Sequence, residues 1–160
     1  MKNTDSGARN AARLAAIQAL YQMEITGIDA DGVSEEFSEY RFGQEPEVTP
    51  GAPDEAFFSD LVHGVPAHQE EIDAALTTCL AANWRLSRVD SIVRAILRCG
   101  AYELMARKDV PAKVVIDEYI TLAQAFHADQ ESPFINAALD KLAHRKRAPE
   151  FGEPIPDGEF

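Results

Sequence analysis

Apolar residues recur every three or four positions along most of this chain, which is the period of an amphipathic helix. The first such stretch runs from Ala8 to Ile25, and Gly27 follows it where a left-handed C-terminal cap is expected. No alternating strand pattern separates the helical stretches, so the sequence predicts an all-α bundle in a single domain. Later helices are predicted at 33–40, 54–64, 66–82, 88–107, 111–127 and 133–145.

Short polar residues mark the predicted starts of several helices. Asp54 is a suitable N-cap for the third helix. Ser87 and Asp90 have the spacing of a capping box, which would open the helix that follows. Two further N-caps are predicted beside prolines, namely Asp109 before Pro111 and Ser132 before Pro133.

Proline and glycine cluster in two segments, at 43–55 and 148–160. In the first segment, three prolines remove backbone donors and fix the chain direction, which predicts an exposed loop. The second segment has few apolar residues to bury and is predicted to be a disordered acidic tail. The helical domain is therefore expected to span residues 1–147.

The formal net charge of −12 argues at first against nucleic acid as a partner, because phosphate contacts need lysine and arginine. The charge is unevenly distributed, however. Residues 24–60 hold eleven acidic residues against one arginine, and the tail from residue 148 adds four more acids. Residues 61–147 balance eleven bases with eleven acids. A basic face on the helical body is therefore compatible with the acidic total.

Motifs for enzyme chemistry are absent from the sequence. It contains no glycine-rich phosphate loop, no Gly-x-Ser-x-Gly and no His-Glu-x-x-His. His63 and His68 lie on either side of Pro66, a spacing unsuited to a shared zinc ion. Cys79 and Cys99 sit in apolar helical patterns and are predicted to be reduced core residues. The sequence predicts no catalysis, no cofactor and no metal.

The sequence also predicts a cytoplasmic protein. No apolar run is long enough to span a membrane, and the polar N-terminal stretch lacks the apolar core of a secretory signal.

Basic and aromatic residues supply the only candidate chemistry. The basic candidates are Arg9 with Arg13, Arg94 with Arg98, and the cluster of Arg107, Lys108 and Lys113. Tyr21, Phe126 and Phe134 lie near helix ends, where ring faces suit base stacking. Solvated faces, intrahelical ion pairs and core packing explain the same residues, so these patterns alone do not select RNA.

Several short motifs occur in a specific order from Arg9 to Lys146. They are R-N-A-A-R-L-A-A-I-Q-A-L-Y-Q at 9–22, F-F-S-D-L-V-H-G-V at 57–65, R-A-I-L-R at 94–98, A-Y-E-L at 101–104, V-P-A-K-V-V-I-D-E at 110–118 and F-I-N-A-A-L-D at 134–140. Together they resemble the NusB family of bacterial transcription antitermination factors. The resemblance covers most of the chain.

The resemblance implies seven helices in two packed halves and no catalysis. It also implies binding to the boxA element of ribosomal RNA leader transcripts, together with the small-subunit ribosomal protein NusE, in an elongating RNA polymerase complex. By position, it assigns RNA contact to Arg9, Arg13, Gln18, Arg98, Arg107 and Lys113, base stacking to Phe126 and Phe134, and partner contact to Tyr21 and Asp90. Monomer and homodimer both remain open.

This chain departs from the family pattern at a few positions. Asn10 to Ala12 separate two arginines where the family's first helix often has a dense arginine cluster. Val93 stands where relatives often have an acid that helps bind NusE, so Asp90 is the substitute candidate. Ala137 replaces a usual glycine in the last motif.

Two other functions fit the residues. One is the RNA-binding N-terminal module of a ribosomal RNA cytosine methyltransferase, which has the same helical fold. The other is a helical adaptor that binds only proteins, using the acidic segment at 24–60.

Overall fold

The computed structural model describes residues 2–38, 54–81 and 84–154, with side chains from residue 7 onward. Within these ranges the chain forms seven α-helices and no β-strand, which confirms the predicted all-α class. The predicted loop at 43–55 lies outside the described residues except for its last two positions. The helices are α1 (Lys2–Thr26), α2 (Ala30–Phe37), α3 (Glu55–Ala67), α4 (Gln69–Cys79), α5 (Ser91–Ala106), α6 (Ala112–Ala125) and α7 (Ser132–Lys146).

Residues 1–67 form the first compact unit, which contains α1, α2 and α3. Small buried residues such as Ala12 and Ala16 line the inner side of α1, which packs against α3. Gly27 ends α1 with a φ of +79°, confirming the predicted left-handed cap. The carboxylate of Asp54 accepts from the backbone N of Phe57 at 3.0 Å, which confirms the predicted N-cap of α3.

Residues 68–160 form the second compact unit, in which α5 packs against α4, α6 and α7. The approach of α7 is close at Gly100, where an added Cβ would lie 2.9 Å from a methyl carbon of Leu139. A side chain at this position would therefore require the Leu139 side chain to move. Cys79 and Cys99 are buried and free, as predicted.

Three predicted N-caps are wrong: Ser87, Asp109 and Ser132. Ser132 is already the first residue of α7, and Glu131 holds the cap position before it. Ser87 lies in a 3-10 turn (Leu86–Arg88), and Asp90 is itself the N-cap of α5, accepting from the backbone of Ile92 and Val93. The capping box is therefore absent, because the chain turns once before α5 begins. Likewise Asp109 does not cap α6; Pro111 holds the cap position.

The tail that was predicted to be disordered begins with ordered structure. Residues Ala148–Phe151 form a 3-10 turn, and Ala148 is 1% exposed. Glu150 accepts from the backbone N of Ala112 at 2.8 Å, at the first residue of α6. The segment therefore packs on the second unit rather than leaving it. Residues 155–160 lie outside the described ranges.

Candidate nucleic-acid interface

Two arginines of α1 lie over one phenyl ring of α3. The guanidinium carbons of Arg9 and Arg13 are 5.0 and 5.1 Å from the centroid of Phe57, a cation–π distance. Arg13 also donates to the side-chain oxygen of Asn10 at 2.6 Å and is only 2% exposed. A guanidinium enclosed in this way has no free face for a phosphate. Arg13 therefore packs within the first unit, and an RNA contact by it would require this packing to open. Arg9 is half-buried, and its RNA contact stays a prediction.

Gln18 and Tyr21 lie further along α1. Gln18 is half-buried, whereas Tyr21 leaves 40% of its surface exposed. A phenol in this position offers both a ring face and a hydroxyl to a partner. Its predicted partner contact therefore stays a prediction that the geometry allows.

The arginines of α5 are bound within the second unit. Arg98 forms a two-pronged pair with Asp73 of α4, with both N–O distances at 2.9 Å, and its side chain is 18% exposed. Arg94 donates to the backbone oxygens of Leu86, Ser87 and Val89. An RNA contact by Arg98 would require its pair with Asp73 to open. In this structure, Arg94 and Arg98 therefore stabilise the second unit through contacts within it.

The turn between α5 and α6 presents cations of two kinds. Arg107 pairs with Asp109 through two hydrogen bonds of 3.0 Å, and its side chain is 25% exposed. Lys108 and Lys113 are exposed. The two lysines are therefore the more accessible charges, and Lys113 keeps its predicted role.

Arg147 stabilises the turn between α5 and α6 through hydrogen bonds to its backbone. Its guanidinium donates to the backbone oxygens of Glu103, Leu104, Arg107 and Val110, and the residue is 2% exposed. These carbonyls end α5 and lead towards α6, so one side chain satisfies groups that a helix end leaves unpaired.

The partner of Arg147 is Glu150. Burial alone would raise the pKa of the Glu150 carboxyl, but hydrogen bonds from the Ala112 backbone and from Arg147 outweigh burial and lower it. Glu150 therefore stays ionised and fastens the start of α6 to Arg147. The sequence did not predict the pair of Arg147 and Glu150, because the helical domain was expected to end at residue 147.

Two aromatic rings meet on the surface of the second unit. Trp84 and Phe134 have ring centroids 4.7 Å apart, at an angle of 39°. Phe134 and Phe126 are half-buried, whereas Trp84 is 48% exposed. Sequence reasoning named the two phenylalanines but missed the tryptophan. The signal was present in the sequence, because Trp84 is immediately followed by Arg85.

Asp90 has one carboxylate oxygen committed to the start of α5. That oxygen accepts from Ile92 N at 3.0 Å and from Val93 N at 3.4 Å, and the residue is exposed. The second oxygen is oriented by the cap, so the geometry is compatible with the predicted partner contact.

Three histidines, His63, His68 and His144, lie within ion-pair distance of a carboxylate. His63 places Nε2 2.9 Å from Asp31 and Nδ1 2.9 Å from the backbone oxygen of Ser59. The Asp31 carboxylate and the Ser59 carbonyl raise the pKa of this imidazole, because both accept from its protonated form. No described group of three or more His, Cys, Asp or Glu is arranged to hold a metal ion. None of the described helices is long and apolar enough to cross a membrane.

A cavity of about 510 Å³ lies in the second unit beside Arg147. Tyr102, Met105 and Lys108 contribute to its lining. The guanidinium of Arg147 is already occupied by backbone oxygens and by Glu150, so it has little capacity left for a ligand. Neither Trp84 nor Phe134 lines this cavity.

Comparison with known proteins gives a consistent result. The model of the NusB family matches residues 10–144. The transcription antitermination protein NusB of Maricaulis maris is 54% identical over 146 residues, covering 89% of this chain and 90% of that protein. A solved structure of T. maritima NusB has a TM-score of 0.73 at 26% identity, covering 90% of this chain and 96% of that one. A structure of antitermination factors NusB and NusE in complex with dsRNA has a TM-score of 0.71 at 22% identity, covering 89% and 98%, and shows likeness of fold.

Proposed function

The chain belongs to the NusB family, and we propose that it is an RNA-binding transcription antitermination factor without catalytic activity. The observation that carries this proposal is the 54% identity, along nearly the whole of both chains, to a curated antitermination protein. In the proposal, the chain binds the boxA element of ribosomal RNA leader transcripts. It acts there together with NusE, as part of an elongating RNA polymerase complex.

The accessible cations and rings supply the proposed RNA contacts. Lys113 and Arg9 contact phosphates, with Arg107 and Gln18 completing the polar contacts. Phe126 and Phe134 stack on bases, since an unpaired base offers a flat apolar face to an aromatic ring. Arg98 joins these contacts only where its pair with Asp73 opens. The remaining roles, Tyr21 and Asp90, are contacts with NusE.

The charge of the chain predicts that NusE is needed for full affinity. A net charge of −12 repels RNA at long range, and several arginines are already bound to carboxylates or carbonyls. A partner that carries lysines and arginines beside the RNA would add phosphate contacts to those of this chain. The proposed function therefore includes a joint RNA surface formed with NusE.

The test is a titration of fluorescently labelled boxA RNA, followed by anisotropy, with and without NusE. We expect binding in both cases and a clear gain in affinity when NusE is present. No gain would contradict the proposed joint surface. Repeating the titration at two protein concentrations, with sedimentation measured in parallel, shows whether a homodimer competes with RNA for the same face.

A further inference from the structure

Trp84 is the only tryptophan of the chain, and it remains 48% exposed although its ring packs on Phe134. A tryptophan that serves packing alone usually loses most of its surface to the core, because its large ring is a main source of burial energy. About half of this indole instead faces water. Together with Phe134, it forms an aromatic surface of two adjoining rings.

The backbone on both sides of the ring pair is held in place. Leu86, two residues after Trp84, is 7% exposed, and Ile135, next to Phe134, is fully buried. The Arg94 guanidinium donates to the backbone oxygens of Leu86 and Val89, which fixes the 3-10 turn that follows Trp84. Rings that are already positioned bind a ligand with a smaller loss of conformational entropy.

Positive charge lies next to Trp84 in the chain. Arg85 precedes the 3-10 turn and Arg88 is its last residue, and both are exposed. Asp129 and Glu131 belong to the 3-10 turn that leads into α7, the helix that carries Phe134. The two arginines therefore attract a phosphate to the segment that carries Trp84.

We propose that Trp84 and Phe134 form a stacking site for one unpaired RNA base, with Arg85 and Arg88 contacting the adjoining phosphates. The proposal rests on the proposed function and adds three residues to it. An unpaired base fits because it carries an exposed π-face and neighbouring phosphates on one flexible strand. A base inside a duplex fits less well, because both of its faces are already covered. An apolar protein side chain also fits less well, because it carries no negative charge for the arginines to bind.

The single tryptophan makes the site directly observable. Unlabelled boxA RNA is titrated into the full chain while tryptophan emission and its quenching by acrylamide are recorded. We expect the emission to fall, and acrylamide quenching to weaken, with the same midpoint as the anisotropy of labelled RNA. An RNA with an abasic site at the stacked position should bind with a smaller change in emission.

Substitution tests the energetic role. Trp84→Leu should weaken RNA binding by roughly 5- to 150-fold, the range for loss of one base–aromatic stack. Trp84→Phe should restore much of that loss, because it keeps a ring. Ile25→Ala removes another exposed apolar side chain, in the first unit, and should leave affinity unchanged. Phe134→Leu keeps the tryptophan and should reduce its emission change on RNA binding.

The outcomes separate this inference from the proposed function. If anisotropy reports boxA binding while emission and acrylamide quenching stay constant, the stacking site is wrong and the proposed function stands. If emission changes with NusE alone and not with RNA, the rings contact protein, which also overturns the inference. Absence of any RNA binding, with and without NusE, overturns both.

Discussion

Two aromatic pairs, one in each compact unit, differ in what surrounds the rings. Phe37 and Phe58 stack at 5.3 Å in the first unit and are 1% and 2% exposed. Trp84 and Phe134 lie 4.7 Å apart in the second unit, where the tryptophan is 48% exposed. The buried pair stabilises the fold by leaving water, whereas the exposed pair keeps a free ring face. The two pairs therefore differ in exposure and not in the proximity of their rings.

The largest effect should appear when each pair is broken in turn. Phe58→Ala should lower the free energy of unfolding by about 3–5 kcal/mol, because it leaves a cavity among buried residues. Trp84→Leu should lower it by about 1 kcal/mol or less, because much of the indole is already in water. Denaturant unfolding followed by circular dichroism measures both. Equal losses would contradict the contrast between the pairs.

The same contrast extends to arginines. Arg147→Met should lower the free energy of unfolding by about 3–5 kcal/mol, since it leaves four backbone carbonyls and Glu150 without their shared donor. Arg145→Met is the matched control: Arg145 is half-buried and donates to Thr78, so a loss of about 1 kcal/mol or less is expected. Similar losses for the two variants would contradict this stabilising role of Arg147.

Salt dependence separates an accessible cation from an enclosed one. Lys113→Gln should lower the slope of log affinity against log salt concentration by about 0.7, the effect of one phosphate contact on a single strand. Arg13→Met should leave that slope unchanged, because Arg13 is enclosed by Phe57 and Asn10. RNA titrations at four salt concentrations measure both slopes. A lower slope for Arg13→Met would restore its role as an RNA contact.

The smallest predicted effect is a pH dependence at His63. Because the folded state raises the pKa of this imidazole, its pair with Asp31 stabilises the protein fully below the unfolded pKa of about 6.5. That stabilisation is lost as the pH rises through the folded pKa. Asp31→Asn should therefore lower the melting temperature at pH 5.5 and have little effect at pH 8.5. Glu35→Gln, at another exposed acid of α2, should show no such dependence.

Much of the fold followed from the sequence because helix periodicity and caps are local. Gly27 and Asp54 were predicted from neighbours within four residues, and both predictions are confirmed. The exact start of α5 was not predicted, because the sequence allows either Ser87 or Asp90 to be the N-cap. The choice depends on Arg94, which holds the carbonyls of the preceding turn.

The candidate site was less predictable, because exposure depends on contacts far apart in the chain. Arg13 and Arg98 have the helical spacing of an RNA surface, yet Phe57 encloses one and Asp73 binds the other. Trp84 meets Phe134 from fifty positions away. A local pattern, such as Arg85 beside Trp84, can mark a residue as a candidate but does not show whether its side chain is accessible. The sequence motifs did identify the family, because they occur in a specific order along most of the chain.

In the proposed function, this chain recognises boxA RNA through accessible cations and rings. Its most direct test is competition between labelled boxA RNA and two unlabelled RNAs, boxA itself and a scrambled strand of equal length and composition, with NusE present. We expect boxA to displace the label at a clearly lower concentration than the scrambled strand. Equal displacement by the two strands would mean that binding does not depend on the boxA sequence, and recognition of boxA would then be wrong.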